Sequence, residues 1–455
     1  MLNTKTLIRM VRDGEIETII SAFPDMYGRL MGKRFAAGFF LDTVLKHGMH
    51  ACDYLLASDM EMTPIPGYRF TSWEKGYGDA LCTPDMSTLR ILSWLDRTAL
   101  VLCDVVGEPG NEPVPVAPRT ILQRNVERAR QKGFSVKAAS ELEFFLFRDS
   151  YELAGQKHYE GLQPAGKYIE DYHILQGTKE ENVVAAIRYH LDHSGVPIES
   201  SKGEWGPGQQ EINVRYGGML ETADRHVIFK HGAKEIAWQQ GQAVTFMAKW
   251  NSAMAGSSMH IHASLWDANG TKALFSGKEK RLGMQCSKHF LWFLGGWMAH
   301  MREVFPFYAP YPASYKRYVA ESFAPTALAW SHDNRTAGFR IVGHGSSLRI
   351  ECRIPGADAN PYLALAATLA SGLDGIENKI EPPAMFEGDI YKARELPQVP
   401  TTLHEAIAEM ETSSWVRKAF GDDVIDHYLH FYRVEQKKCD EAVTTWELAR
   451  YFERA

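Results

Sequence analysis

A chain of 455 residues is too long for one ordinary domain and a natural length for two. Hydrophobic residues make up 45% and charged residues 23%, the mix of a globular protein in water. A formal net charge of −6 excludes the global positive field that nucleic acid or an anionic membrane would call for, so anionic ligands would need local arginines.

The N-terminal residues MLNTKTLIRMVRDGEIE have no apolar core behind their basic residues, so no signal peptide is expected. Strand-like runs follow at 16–23 and 98–106. Residues 107–118, GEPGNEPVPVAP, hold four prolines and two glycines, which neither a helix nor a central strand tolerates. Helical spacing resumes over 119–132, directly behind Pro118, a favoured place for proline. These breaks predict a small N-terminal domain over 1–107, a linker over 108–118 and a large α+β domain over 119–455.

Three strand-like segments of the large part each carry one charged face. In VKAASELEFFLF (136–147), aromatic and aliphatic residues favour strand, and period-two alternation puts Glu141 and Glu143 on one side. Adjacent carboxylates repel, more so when buried, so a positive group is expected between them. The alternative is an edge strand with two solvated acids. In GEWGPGQQE (203–211), Glu204 and Glu211 bracket a Gly-Pro-Gly turn, which is otherwise an ordinary glycine-rich loop. In SSMHIHASL (257–265), His260 and His262 share a face; a structural pair of strand histidines is the plainer reading.

The longest apolar stretch, about 290–299, is half of the roughly 20 residues a membrane span needs, and predicts a buried helix. In LRIECRI (348–354), Arg349, Glu351 and Arg353 point one way and Ile350, Cys352 and Ile354 the other. The PGADANPYLALAATLA that follows reads as a tight turn into a buried helix, which favours a site over a surface strand. Six scattered cysteines, without a CxxC pair, point to reduced thiols, a cytoplasmic location and no zinc site.

Glu141, Glu143, Glu204, Glu211, Glu351 and His260 make a donor set dominated by carboxylates. Hard oxygen ligands select Mg²⁺ or Mn²⁺ and tolerate one imidazole. With Arg317, Arg335, Arg340, Arg349 and Arg353, guanidinium groups suited to carboxylate and phosphate, the set describes phosphoryl transfer to an anionic acceptor. Neither a Walker A sequence nor a kinase-type glycine loop is present.

These motifs resemble the glutamine synthetase family in its type I-like branch, and are closest in kind to γ-glutamylamide synthetases. The likeness covers nearly the whole chain: ELEFFLF, GEWGPGQQEINVRY, FMAK followed by AGSSMHIHASL, SYKRY, NRTAGFR, RIECRIPGADANPYL and TTWELARYFERA. The N-terminal part, with DMYGRLMGKR at 25–34, resembles the family's small β-grasp-like domain less closely. The resemblance implies an α+β fold whose large catalytic α/β domain is built on a curved antiparallel sheet. It implies that Glu143, Glu204 and Glu211 hold one metal ion, and that Glu141, His260 and Glu351 hold the one bridging the ATP phosphates. Arg317, Arg353 and the backbone at Gly256 would grip glutamate. Arg335, Arg340 and His262 would face the transferring phosphate, and Arg349, Ser264 and Tyr216 would line the nucleotide pocket. ATP would phosphorylate the γ-carboxylate and an amine would attack the acyl phosphate. The family also implies a ring assembly, a dodecamer of two hexamers, with sites between neighbouring subunits.

The chain departs from the family where ammonium should bind. PIPGYRFTSW (64–73) has no acid where the family carries an aspartate, and Asp79 lies beyond it. On the flap, Phe323 precedes Ala324-Pro325 where an acid is usual, and Glu321 is displaced by two residues. Ala255 and Ser258 replace the usual Asn and Gly. An acid both attracts ammonium and takes its proton. Phe323 in its place, with Trp73 and the nearby Tyr68 and Phe70, predicts a pocket for an alkyl or aryl amine, in amine catabolism. The competing readings are a true glutamine synthetase in which Glu321 serves ammonia, and a non-catalytic structural or regulatory ring.

Overall fold

The computed structural model describes residues 2–107, 110–281 and 283–455. Glu108 and Pro109, at the start of the expected linker, and Met1 lie outside the described residues. The first unit carries strands β1 (Thr18–Pro24), β2 (Leu30–Ala36), β3 (Met49–Cys52), β4 (Asp79–Pro84), β5 (Arg90–Ile91) and β6 (Thr98–Val106). They form one sheet in the order β2-β1-β6-β4-β3, with β5 on β6. β1 and β6 run parallel at its centre and are buried on both sides. Ile19, Val101 and Cys103 enter a local core with Leu7 and Phe40, while Ile20, Leu100 and Leu102 enter the main core. The sheet is therefore docked on the larger unit, as period-two alternation requires of a strand with apolar residues throughout.

The second sheet has nine strands: β7 (Phe134–Phe147), β8 (Ile198–Gly203), β9 (Gln209–Val214), β10 (Gly217–Gly218), β11 (Ala243–Thr245), β12 (Met259–Asp267), β15 (Trp330–His332), β16 (Phe339–Val342) and β17 (Arg349–Cys352); β13 (Lys280–Arg281) and β14 (Met284–Gln285) form a separate ribbon. The main path is β15-β16-β17-β12-β7-β9-β8, with β10 and β11 also on β7. Every pairing is antiparallel except β15 with β16. The architecture is α+β.

Helices cover this sheet. The helix at Pro118–Gln131 has proline in its first turn, where the missing N–H costs nothing. The apolar stretch near 290–299 lies in a buried helix, Lys288–Ala299, against the helix Pro361–Asn378, of which Pro361 through Gly375 are all buried. Glycines allow that approach: a Cβ on Gly296 would lie 2.3 Å from the Ser371 carbonyl oxygen and 2.4 Å from Gly375 Cα. Among the described residues no helix is long and apolar enough to cross a membrane. All six cysteines are free thiols.

The proline-rich connection is not a loose tether. Val114, Val116 and Ala117 are buried, and Tyr428 Oη donates to the Val116 carbonyl at 3.0 Å. Beside it the buried Arg119 guanidinium joins Asp85 (2.7 Å), Asp224 (3.0 Å) and Asp104, tying the two units together. A planar donor fork with several acceptors satisfies a buried charge in this way.

Candidate active site

The site is written in the register of the large sheet. Residues directly opposite in adjacent strands project to the same face. Glu143 of β7 lies opposite Glu211 of β9, and Glu141 opposite His260 of β12. His262 lies opposite Glu351 of β17, and Glu351 opposite Arg340 of β16. One face of five strands thus carries four carboxylates, two imidazoles and two guanidinium groups, those of Arg340 and Arg349.

The group between the two acids of β7 is His260, a neutral imidazole and not the positive group expected there. Its Nδ1 is 3.0 Å from Glu141 Oε2 and 3.8 Å from Glu351, and its Nε2 is 4.0 Å from Glu143. Ligand atoms of Glu141, His260 and Glu351 lie within 4.8 Å of one another, and so do those of Glu143, Glu211 and His260. Glu204 lines the same cavity, but its carboxylate pairs with the Lys202 ammonium rather than joining either triplet.

Burial and mutual repulsion set the protonation of these groups. Burial, then the charge of Glu204, pushes the Glu143 carboxyl up to about 7. Burial and the charges of Glu141, Glu204 and Glu143 push Glu211 well above the usual carboxylate range. Burial also disfavours charge on Glu141, yet hydrogen bonds from His260 and His262 outweigh it and hold that carboxyl below its ordinary value. Burial and the nearby Arg353 push His260 down to about 4, leaving a neutral imidazole with a lone pair to offer. Two buried acids held against ionisation, beside a neutral imidazole, fit a divalent cation of the Mg²⁺ or Mn²⁺ class.

Glu141 divides two cavities. On its far side Tyr216, Ser264 and Arg349 line the second one with Lys137, Trp266 and His262. Lys137 Nζ sits 3.6 Å over the Trp266 ring, and Arg349 Nε donates to His262 Nδ1 at 3.2 Å. His262 Nε2 therefore carries the proton it shares with Glu141 Oε1 at 2.9 Å. On the near side Arg317, Arg335, Arg340, Arg353 and Gly256 line the acidic cavity. Arg317 donates to the carbonyls of Ile354 (2.7 Å) and Arg353 (2.8 Å), so it also fixes the end of β17. Arg353 bonds Glu351 at 2.6 Å while its buried Nε has no partner among the described residues.

On the flap, Phe323 and not Glu321 reaches the cavity. Both have left-handed backbone (φ +59° and +62°), but Glu321 is exposed and outside the cavity. Phe323 meets the Trp205 ring edge-to-face at 5.5 Å. Trp73 is not brought to this cavity; it is 70% exposed and packs on Tyr77. Tyr68 is buried against His427 and His430 and Phe70 packs toward His427, and both line a different cavity with those histidines. Sequence reasoning missed Asp171, Tyr172 and Lys202, which also line the cavity.

Behind that edge lies a second acid pair. Glu170 accepts from the Gly208 amide and from Gln210 Nε2, both at 2.8 Å, and Gln210 also donates to Glu180 at 2.9 Å. Burial, then the neighbouring Glu170, pushes Glu180 up to about 8. A folded-state value above the unfolded one means that stability is full below the unfolded carboxylate range and is lost as pH rises toward 8. Glu180→Gln keeps the hydrogen bonds without the charge. It is expected to melt several degrees above the wild type at pH 8 and at the same temperature near pH 4.5, measured by thermal denaturation.

A sheet face of paired carboxylates, flanked by arginines and by a second cavity that holds Tyr216 and Trp266, is the donor set that could hold divalent cations and anionic groups in an enzyme of the carbon–nitrogen ligase class. The chain belongs to the glutamine synthetase family: the model of the glutamine synthetase catalytic domain matches residues 115–451. It is 48% identical to the γ-glutamylethanolamide synthetase of Streptomyces coelicolor, over 100% of this chain and 96% of that protein. It is 36% identical to the glutamate–isopropylamine ligase of a Pseudomonas species, over 99% of each. Among solved structures, GmaS in complex with ADP superposes with a TM-score of 0.85 at 29% identity, covering 98% of this chain and 99% of that one.

Proposed function

We propose that this protein is an ATP-dependent ligase that joins the γ-carboxyl of glutamate to an organic amine, through γ-glutamyl phosphate, within amine catabolism. The observation that carries the reading is one cavity with the metal-type carboxylates at its floor, Arg317 and Arg353 at one side, and Phe323 rather than an acid at its flap edge. Mg²⁺ or Mn²⁺ held by Glu141, His260 and Glu351, and by Glu143, Glu211 and Glu204, would neutralise charge on the phosphates and the acyl acceptor. Arg353, whose buried Nε has no partner among the described residues, and Arg317 would bind the glutamate carboxylate. Arg340 and Arg335 would stabilise the phosphoryl group in flight, with His262 oriented by Glu141. Tyr216, Ser264 and Arg349 would line the ATP pocket. A free carboxylate is a poor electrophile, and phosphorylation supplies the leaving group.

Domains at 1–107 and 119–455 with a linker over 108–118, a cytoplasmic location and a dodecamer of two hexameric rings complete the reading. Self-association is supported by the C-terminal segment, where Val443, Trp446, Tyr451 and Phe452 (88% exposed) present largely exposed apolar side chains, Trp446 and Tyr451 packing only on each other and on Arg450.

The test is ADP release with glutamate plus ammonium, ethanolamine, isopropylamine, aniline or putrescine, with mass detection of the γ-glutamyl product. An organic amine is expected to have the highest kcat/KM; ammonium in first place would replace this reading with glutamine synthesis. Phe323→Glu is expected to raise kcat/KM for ammonium and lower it for isopropylamine, each by about tenfold, since one buried charge or apolar contact is worth about 1–3 kcal/mol. Unchanged amine preference in that variant would remove Phe323 from the pocket.

A further inference from the structure

We propose that Asp171, with the ring of Tyr172 beside it, is the amine-selecting subsite, and that it recognises the ammonium end of a small primary alkylamine. The inference rests on the ligase reading above and narrows its substrate class from alkyl or aryl amines to cationic alkylamines. Asp171 lines the cavity that holds Glu143, Glu204, Arg317 and Phe323. Its side chain is 38% exposed and, among the described residues, accepts no hydrogen bond shorter than the 3.9 Å approach of Lys202, so it keeps acceptor capacity.

Its position is fixed by the backbone. The Asp171 amide donates to the Glu204 carbonyl at 3.0 Å and the Tyr172 amide to the Gly203 carbonyl at 3.3 Å. The preceding residue, Glu170, is buried and bonded to the Gly208 amide and Gln210, so the segment is clamped to both ends of the turn that carries Glu204. The surroundings already accept a primary ammonium group. Lys202 Nζ, bound chiefly to Glu204, lies 3.9 Å from Asp171 Oδ1 and 4.4 Å from the centroid of the Tyr172 ring. A carboxylate with an aromatic face beside it is the chemistry that recognises alkylammonium ions. Phe323 and Trp205, edge-to-face across the same cavity, would pack on the alkyl chain. An arylamine, uncharged at neutral pH, gains nothing from the acid.

The experiment compares wild type and Asp171→Asn with ethanolamine, a cation at neutral pH, and with hydroxylamine, which is uncharged there. The variant is expected to raise KM for ethanolamine roughly tenfold to a hundredfold, the worth of a charge-assisted hydrogen bond, while KM for hydroxylamine and glutamate stays within about twofold. Wild type is expected to prefer ethanolamine to aniline. Equal KM changes for both nucleophiles, a parallel rise for glutamate, or no change for ethanolamine would overturn the inference and leave the ligase reading standing. A wild-type enzyme that couples ATP to none of these nucleophiles overturns both.

Discussion

Glu351→Gln is expected to lower kcat for amine-dependent ADP release by about a hundredfold to a thousandfold, and to raise the metal concentration needed for half-maximal rate. Glu351 is nearly inaccessible and serves three neighbours. It bonds Arg353 at 2.6 Å and Arg340 at 2.9 Å, and its carboxylate is 3.8 Å from His260 Nδ1. Gln keeps the shape and one acceptor but loses the charge that the arginines and a cation share. Glu351→Ala goes further, because it leaves the buried Arg353 guanidinium without its carboxylate. Breaking a buried pair from one side costs about 3–5 kcal/mol, so this variant is expected to lose thermal stability as well as turnover. Gln is therefore the variant that separates chemistry from folding. Wild-type kcat and metal dependence in Glu351→Gln would remove Glu351 from the metal set, and the pairing of Glu141 with His260 would have to stand without it.

Much of this site was legible because period-two alternation is a rigid rule. Glu141 with Glu143, His260 with His262, and Arg349 with Glu351 are same-face sets within single strands, and they occupy one face of the folded sheet, while Arg353 lies just past the end of its strand. The sequence does not say which strands are neighbours, so the pairing of Glu143 with Glu211 across β7 and β9 came only from the register. The strand ends also shifted. The Ser258 carbonyl still accepts from the Glu143 amide, but its own amide and hydroxyl bind the Glu143 carboxylate, and β12 begins at Met259 and not at 257. The Arg353 amide still donates to the Gly338 carbonyl in the register of the ladder, one residue past the end of β17 at Cys352. Asp171 was not legible at all. Its segment, KYIEDYH, has no periodicity, and it reaches the cavity through the buried Glu170 and two backbone bonds to the Glu204 strand. Trp73 stands apart from the cavity of its own chain, facing solvent and Tyr77, so its place in a site completed by a neighbouring subunit is not something the single chain displays.

Gly256→Ala is expected to cut kcat/KM for glutamate by about a hundredfold or more, with little change in KM for ATP. The motif AGSSMHIHASL does not reveal why glycine is needed there, since the position has no left-handed backbone. The reason is space. An added Cβ would sit 2.6 Å from Arg317 Cγ and 2.8 Å from the Ala248 carbonyl oxygen. Arg317 cannot yield easily, because both its Nη atoms are bonded to the carbonyls of Arg353 and Ile354. The backbone cannot yield easily either. The Ser257 amide bonds Ala248 at 3.0 Å, the Gly256 carbonyl accepts from Gln209 at 2.9 Å, and Ser258 holds Glu143. Relief in either direction moves a glutamate-side arginine or a metal-side carboxylate, and a displacement near 1 Å at such a site costs about a hundredfold in rate. The cavity proposed for ATP lies on the other side of Glu141 and shares none of these contacts, so the ATP dependence reports whether the damage is local. A Gly256→Ala enzyme with an unaltered KM for glutamate and unaltered kcat would show that Arg317 is not part of the glutamate site, and the anionic half of the cavity would then rest on Arg353 alone.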